Sequence, residues 1–448
     1  MIRGLLTALT ALLLAPSAFA AGPSLTLGAA EDVVRSPSAD TAQANLNLLR
    51  LAGFKAVRIT TFWLPGQTDV TEDEQTILNN AAVAGARAGV VVYVSIYHPG
   101  SRTTPLTPEA RAEFTAYAAA VVRRNPYFRK VIVGNEPNLN RFWLPQFAED
   151  GSGASAPAYL QLLAESYDAL KAVSPDVEVY GGALAPRGVD RPGTGRDTIS
   201  PTRFIRELGA AYRASGRIQP IMDGFAMHPY ADNSSQSPDV PHPNLGTIGV
   251  ADYGKLVALL AEAFDGTPQL GSTLPILYDE FGVESVVPPE KAAAYTGAEP
   301  STTRPVDELT QGLYYRRALE LTFCQPNVTG ILFFHSHDEP ALPAWQSGVY
   351  YADGTAKSSL PAVQAAIAAT RGGSIARCPG LRLGLKTTIT FDVRTQSVRF
   401  RCHLDCVYRA RLVKLPARTT TAAKSGRVPM QTQKTVSLAR KLRPGRRG

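Results

Sequence analysis

Lys130-Val131-Ile132-Val133-Gly134-Asn135-Glu136-Pro137 is a short apolar run that closes on two polar residues and is stopped by a proline. Proline has no backbone N–H and does not extend a central ladder, so the run reads as a strand with its glutamate at the C-terminal end. Pro275-Ile276-Leu277-Tyr278-Asp279-Glu280-Phe281-Gly282 repeats the layout, with Glu280 in that place. Outward from these two stretches, apolar strand-like runs alternate with helix-like ones, the rhythm of parallel strands joined by helical crossovers. Strands are expected over residues 25–29, 56–62, 90–97, 130–135, 177–184, 222–228, 275–280 and 330–335. Helices are expected over 41–53, from Thr71 onward, and over 108–124, 159–173, 202–214, 253–264 and 308–323, each with a compact apolar stripe. Thr71 followed by Glu74 has the spacing of a capping box. A doubly wound open sheet shows the same alternation. Eight strands, with polar residues at their ends, select an α/β fold of the (β/α)8 TIM-barrel kind, which keeps its chemistry at the C-terminal mouth.

The loops over 186–201, 229–249 and 288–305 are long and rich in Gly, Pro, Ser and Asp, and in a barrel such connections shape the site. Past about Gly380 the pattern changes. Ile389, Phe391 and Val393, then Val398 and Phe400, alternate as a half-buried β segment does, which predicts a small C-terminal β module. The formal charge of +8 is unevenly spread: from Arg377 to Gly448, 18 Lys or Arg face only Asp392 and Asp405, so the first 376 residues hold 28 basic and 36 acidic groups, 8 negative in sum. The basic character belongs to the tail. No nucleic-acid-binding module accompanies it, so it reads as a solvated face or as a contact for acidic cell-wall polymers.

Met1-Ile2-Arg3-Gly4, an apolar run from Leu5 to Leu14, and Ala18-Phe19-Ala20 have the three-part layout of a secretory signal, with cleavage expected after Ala20. The run is short of the roughly 20 residues a membrane span needs, and no later stretch is long and apolar enough to span. The expected division is a signal peptide over 1–20, a barrel over 21–376 and a basic β-rich module over 377–448 of a secreted, extracytoplasmic protein. Cys324, Cys378, Cys402 and Cys406 suit an oxidising compartment. Of three possible connectivities, Cys402 with Cys406 and Cys324 with Cys378 is the expected one, unpaired thiols being the alternative. Cysteine and histidine pairs at zinc spacing are absent.

Two carboxyls converging on one barrel mouth are the minimum equipment for glycoside cleavage: one protonates the leaving oxygen while the other attacks the anomeric carbon. Asn135-Glu136-Pro137 after strand four and Glu280 after strand seven resemble the acid/base and nucleophile motifs of clan A of the retaining glycoside hydrolases. Arg58 on strand two, His98 after strand three and His228-Pro229-Tyr230 after strand six extend the resemblance to its cellulase-like families, over roughly residues 24–370. The clan often carries Trp at the end of strand eight. Here His335 stands at that place, and Trp345 in the following loop is the candidate sugar platform.

The resemblance implies a hydrolase of β-linked glycosides that works by double displacement on an oligo- or polysaccharide, without cofactor or metal. Glu136 serves as acid/base and Glu280 as nucleophile. Asn135 binds the sugar 2-hydroxyl, Tyr230 and Arg58 orient Glu280, and His98, His228, His335 and Trp345 complete the substrate-binding set. Two other readings stand beside it. One is a carbohydrate-binding barrel without catalysis; the other is a metal-dependent hydrolase that gathers His98, His228, His335 and His337 around a zinc ion.

Overall fold

The computed structural model describes residues 22–373 and 375, and, further on, the strands within 387–437. The expected signal segment, most of the basic tail's side chains, Cys378 and its pairing with Cys324, and the Cys402–Cys406 loop lie outside the described residues.

Eight parallel strands close into a barrel in chain order: β1 (Thr26–Ala30), β2 (Ala56–Phe62), β3 (Val91–Tyr97), β4 (Lys130–Val133), β5 (Glu178–Leu184), β6 (Gly224–Met227), β7 (Ile276–Phe281) and β8 (Val328–Phe334). The closure is the pairing of β8 with β1, from Thr26 with Gly330 to Ala30 with Phe334. Around it run α1 (Ala39–Ala52), α2 (Glu72–Ala88), α3 (Pro108–Arg124), α4 (Ser155–Val173), α5 (Pro201–Ala214), α6 (Tyr253–Phe264), α7 (Glu308–Phe323) and α8 (Leu360–Arg371). Side-chain oxygens of Ser38, Thr71, Thr107, Ser200 and Asp307 accept from the first free backbone N–H groups and so fix five helix starts. The expected capping box at Thr71 is half made. Thr71 caps Glu74 N, but the Glu74 carboxylate turns instead to Arg35 and Thr61. The sequence reading also passed over α8, an alanine-rich helix.

Alternation along the strands sorts side chains into two cores. Val57, Ile59, Val131, Val133, Ile276 and Tyr278 pack outward beneath the helices, whereas Ala56, Tyr93, Ile132, Tyr180, Ala183, Ala226, Leu277 and Leu332 fill the barrel interior. Arg58, two residues beyond Ala56, therefore also faces inward. The strands stop slightly earlier than the sequence suggests: Asn135, His228 and His335 lie just past β4, β6 and β8. The backbone leaves the ladder there, with Gly134 at φ +87° and Glu136 at φ +42°. In β7 the register with β8 shifts between Tyr278 and Phe281. This irregularity breaks the strict two-residue period and lets consecutive residues, Asp279 and Glu280, both turn to the mouth.

In the C-terminal part, β9 (Thr387–Asp392), β10 (Ser397–Cys402) and β13 (Gln433–Ser437) form one antiparallel sheet in the order β13-β10-β9, and β11 (Cys406–Lys414) pairs with β12 (Thr419–Val428). The alternating segment read from the sequence is thus two strands rather than one. Among the described residues no helix is long and apolar enough to cross a membrane.

Candidate active site

Glu136 is held by its backbone: its N–H donates to Ala183 O at 2.8 Å, across the irregular end of β5. Tyr159 locks the same corner from below, donating to Val133 O at 2.6 Å and accepting from Gly182 N at 2.9 Å. Glu280 ends β7 and is buried. Between the two stands the His228 ring, whose Nδ1 lies 3.0 Å from Glu136 Oε1 and 3.3 Å from Glu280 Oε2. One oxygen of each carboxylate and one nitrogen of His228 all lie within 4.8 Å of one another. Two glutamates 144 positions apart in the sequence thus face one another across a single imidazole.

Glu280 has further partners. Arg58 Nη1 lies 2.8 Å from its Oε1, and the Tyr230 hydroxyl donates to Oε2 at 2.9 Å. Beneath them Asp279, fully buried, takes Arg58 at 3.0 Å and His228 Nε2 at 3.3 Å on its Oδ2. Burial opposes a charge on His228, but the Glu280 and Asp279 carboxylates outweigh it and push the imidazole up to about 10. The same two carboxylates raise Arg58 against its own burial. Burial opposes the Asp279 anion as well, yet His228 and Arg58 hold its carboxyl below the ordinary value. The Tyr230 phenol is driven far up by burial and by Glu280, which keeps it a hydrogen-bond donor.

The other expected residues divide. Asn135 joins the cluster, its Oδ1 accepting from Arg58 Nη2 at 3.4 Å. Trp345 lies tilted over Tyr230 at 5.0 Å between ring centres and edge-on to Phe334 at 5.3 Å. With Glu136 and Tyr230 it lines a cavity of about 460 Å³. His98 is buried at the end of β3 with Nδ1 2.9 Å from Gly100 O and its ring against Trp143; burial lowers its pKa, and none of its contacts is with either glutamate. His335 bonds Ala30 O at 2.7 Å and stacks on Phe334 at 3.7 Å. His337 bonds Ser336 and stacks on Tyr350. The four imidazoles of the metal-hydrolase reading therefore do not share a centre. Among the described residues the one group with metal-ligand spacing is Glu136, His228 and Glu280, whose facing atoms already hydrogen-bond one another or meet Arg58 and Tyr230.

Two acidic residues escaped the sequence reading. Asp279 sits beside the expected nucleophile; alternation from the inward Leu277 already turns it into the barrel, and the register shift is what lets Glu280 face the mouth as well. Glu284, in the loop after β7, is buried and lines the cavity. Its surroundings are remote in sequence, so only the fold reveals it.

No protein-family model matches the chain, and no curated protein does. Solved structures match in fold. A GH5_18 protein of Streptomyces cattleya in complex with GlcNAc superposes with a TM-score of 0.54 at 16% identity, over 81% of this chain and 83% of that one. A variant of it with one glutamate replaced by alanine, in complex with Manb1-4GlcNAc, gives 0.52 at 16% identity over 80% and 83%. A GH5_18 protein of Bifidobacterium longum subsp. infantis gives 0.51 at 13% identity over 77% and 78%. At these identities the likeness shows the shared eight-stranded parallel barrel.

Proposed function

We propose that this chain is a secreted glycoside hydrolase that cleaves β-linked glycosides with retention, Glu136 acting as acid/base and Glu280 as nucleophile. The observation that carries the reading is the approach of the two carboxylates, with oxygens within 4.8 Å at the barrel mouth. Retaining enzymes hold their carboxyl groups about 5–5.5 Å apart, whereas inverting ones leave roughly 6.5–9.5 Å for a water. The GH5_18 fold neighbours, one solved with Manb1-4GlcNAc, support a saccharide as the substrate class.

In the first step a Glu280 oxygen forms a bond to the anomeric carbon as the glycosidic bond breaks, and the electron pair leaves on the glycosidic oxygen. Glu136 protonates that oxygen. His228 occupies Glu136 Oε1, so the transferable proton belongs on Oε2. Arg58 and Tyr230 hold Glu280 in line, and Arg58 loses Coulomb energy as the ester neutralises its partner. In the second step the Glu136 carboxylate takes a proton from water, whose oxygen displaces Glu280 and restores the enzyme. No step calls for a metal ion, so treatment with a chelator should leave turnover unchanged.

The test is hydrolysis of aryl β-glycosides by the parent, Glu136→Gln and Glu280→Gln. Loss of a general acid/base costs about 10²–10⁴-fold, and loss of the nucleophile at least as much. Proton NMR of the first sugar released should show the β-anomer. Two variants as fast as the parent would defeat the assignment, and an initial α-anomer would defeat retention. A folded parent that binds oligosaccharide but releases no sugar would favour the non-catalytic barrel instead.

A further inference from the structure

The cavity beside the two glutamates carries a third carboxyl that the hydrolytic steps do not use. Glu284 is only 6% exposed, and its backbone N–H donates to Ser234 Oγ at 3.0 Å. Its Oε2 accepts the Gln346 N–H at a long 3.4 Å, while no hydrogen bond among the described residues reaches Oε1. Glu284 lines the cavity, so this oxygen is available to a ligand there.

The nearby cation is already committed. The three protons of the Lys357 ammonium go to Asp338 at 2.7 Å, Ser285 Oγ at 2.8 Å and Gln346 O at 3.0 Å. Burial, and then the Glu299 and Asp338 carboxylates, lift Glu284 to about 7. Across the cavity Arg187 is tied to Asp232 at 3.2 Å and to Ala231 O at 2.8 Å. The lining thus sets the carboxyls of Glu136, Asp232 and Glu284 against a single guanidinium that is already paired. The Trp345 and Tyr230 rings supply an apolar wall on the same cavity.

We propose that this cavity is a subsite for an uncharged hexose ring, with Glu284 as the specificity-determining contact that bonds a ring hydroxyl and turns away uronic acids. The proposal rests on the glycosidase reading for its sugar chemistry. A hydroxyl both donates and accepts, so it pairs with the carboxyl in either protonation state. A sugar carboxylate instead meets like charge in the cavity, and that repulsion is a strong form of discrimination.

The experiment measures binding, by saturation-transfer NMR and calorimetry, of methyl β-glucoside, β-galactoside and β-mannoside and of the three matching methyl uronides. Methanol is a poor leaving group, so the full-length parent can be used directly. At pH 8 at least one uncharged hexoside should bind about tenfold or more tightly than its uronide, and Glu284→Gln should narrow that ratio by about tenfold with an unchanged thermal midpoint. Three results overturn the proposal: no uncharged hexoside binds, a uronide binds the parent as well as its hexoside, or Glu284→Gln leaves the ratio where it was. The parent comparison stands even if the variant fails to fold. Failure of the glycosidase reading shows up separately, as hexoside selectivity in a protein that cleaves no glycoside.

Discussion

Asp279 does not line the cavity beside the glutamates, yet both cations of the site lean on it. Its Oδ2 receives Arg58 and His228, and each of these also reaches a catalytic glutamate. Replacing it with Asn removes a charge from a buried network, which costs roughly 3 kcal/mol, at the low end for broken buried pairs because Arg58 and His228 keep Glu280. The pH dependence has a definite sign. The imidazole is raised from 6.5 to about 10, so its stabilisation is complete below 6.5 and is lost as pH climbs through the folded-state value. Asp279→Asn lowers that upper value, and thermal midpoints measured from pH 6 to 10 should fall off nearer to neutrality than in the parent. A curve parallel to the parent's would show that Asp279 does not set the His228 charge. The residue scale also shows how far sequence could go. Glu136, Glu280, Asn135, His228 and Tyr230 announce themselves by standing at the ends of apolar runs, Arg58 is singled out by the resemblance, and the fold draws them together. Asp279 and Glu284 do not, because one stands inside the run next to the expected nucleophile and the other is buried by loops distant in the chain. His335 was read by its place at the end of a strand, and its ring spends itself on Ala30 O and Phe334 instead.

Among the elements, the turn out of β4 is sharply constrained. Gly134 stands at φ +87°, and a Cβ there would come within 2.9 Å of Tyr159 Cε2. Gly134→Ala therefore both strains the backbone and displaces the tyrosine that bonds Val133 O and Gly182 N. A loss of about 1–3 kcal/mol is expected in urea unfolding, together with a fall in kcat/KM well beyond what stability explains, since Glu136 follows two residues later. Unchanged activity at lowered stability would separate the turn from the placement of the acid/base. Strand positions were legible to within two residues or so, because long apolar runs leave little choice of period. Their ends were not, since the polar residues just past β4 and β6 belong to the site and follow its geometry. The α8 helix escaped for a different reason: it is alanine-rich, and its partners, α1 and α7, come from both ends of the barrel sequence.

At the scale of the molecule, every residue assigned to the site lies between Arg58 and Trp345, and the excess positive charge lies after Arg377. The two should be separable. A protein ending at Gly380, which keeps Cys378, is expected to hold kcat/KM within about twofold of the full chain, since function resides in the barrel site. It should also pass from retention on a cation exchanger to retention on an anion exchanger at pH 7. A collapse of activity would mean that the module supports the barrel. The joining of an acidic barrel to a basic tail also explains why the overall isoelectric point, about 9.3, is a poor guide to the site.

The ring of His228 touches Glu136, Glu280 and Asp279 at once. A single side chain labelled with ¹⁵N is therefore a resident reporter for the whole cycle. Esterification at one neighbour, loss of a proton at another and restoration of both would each leave a distinct nitrogen resonance, so the catalytic stages become readable in one spectrum without any label on the sugar.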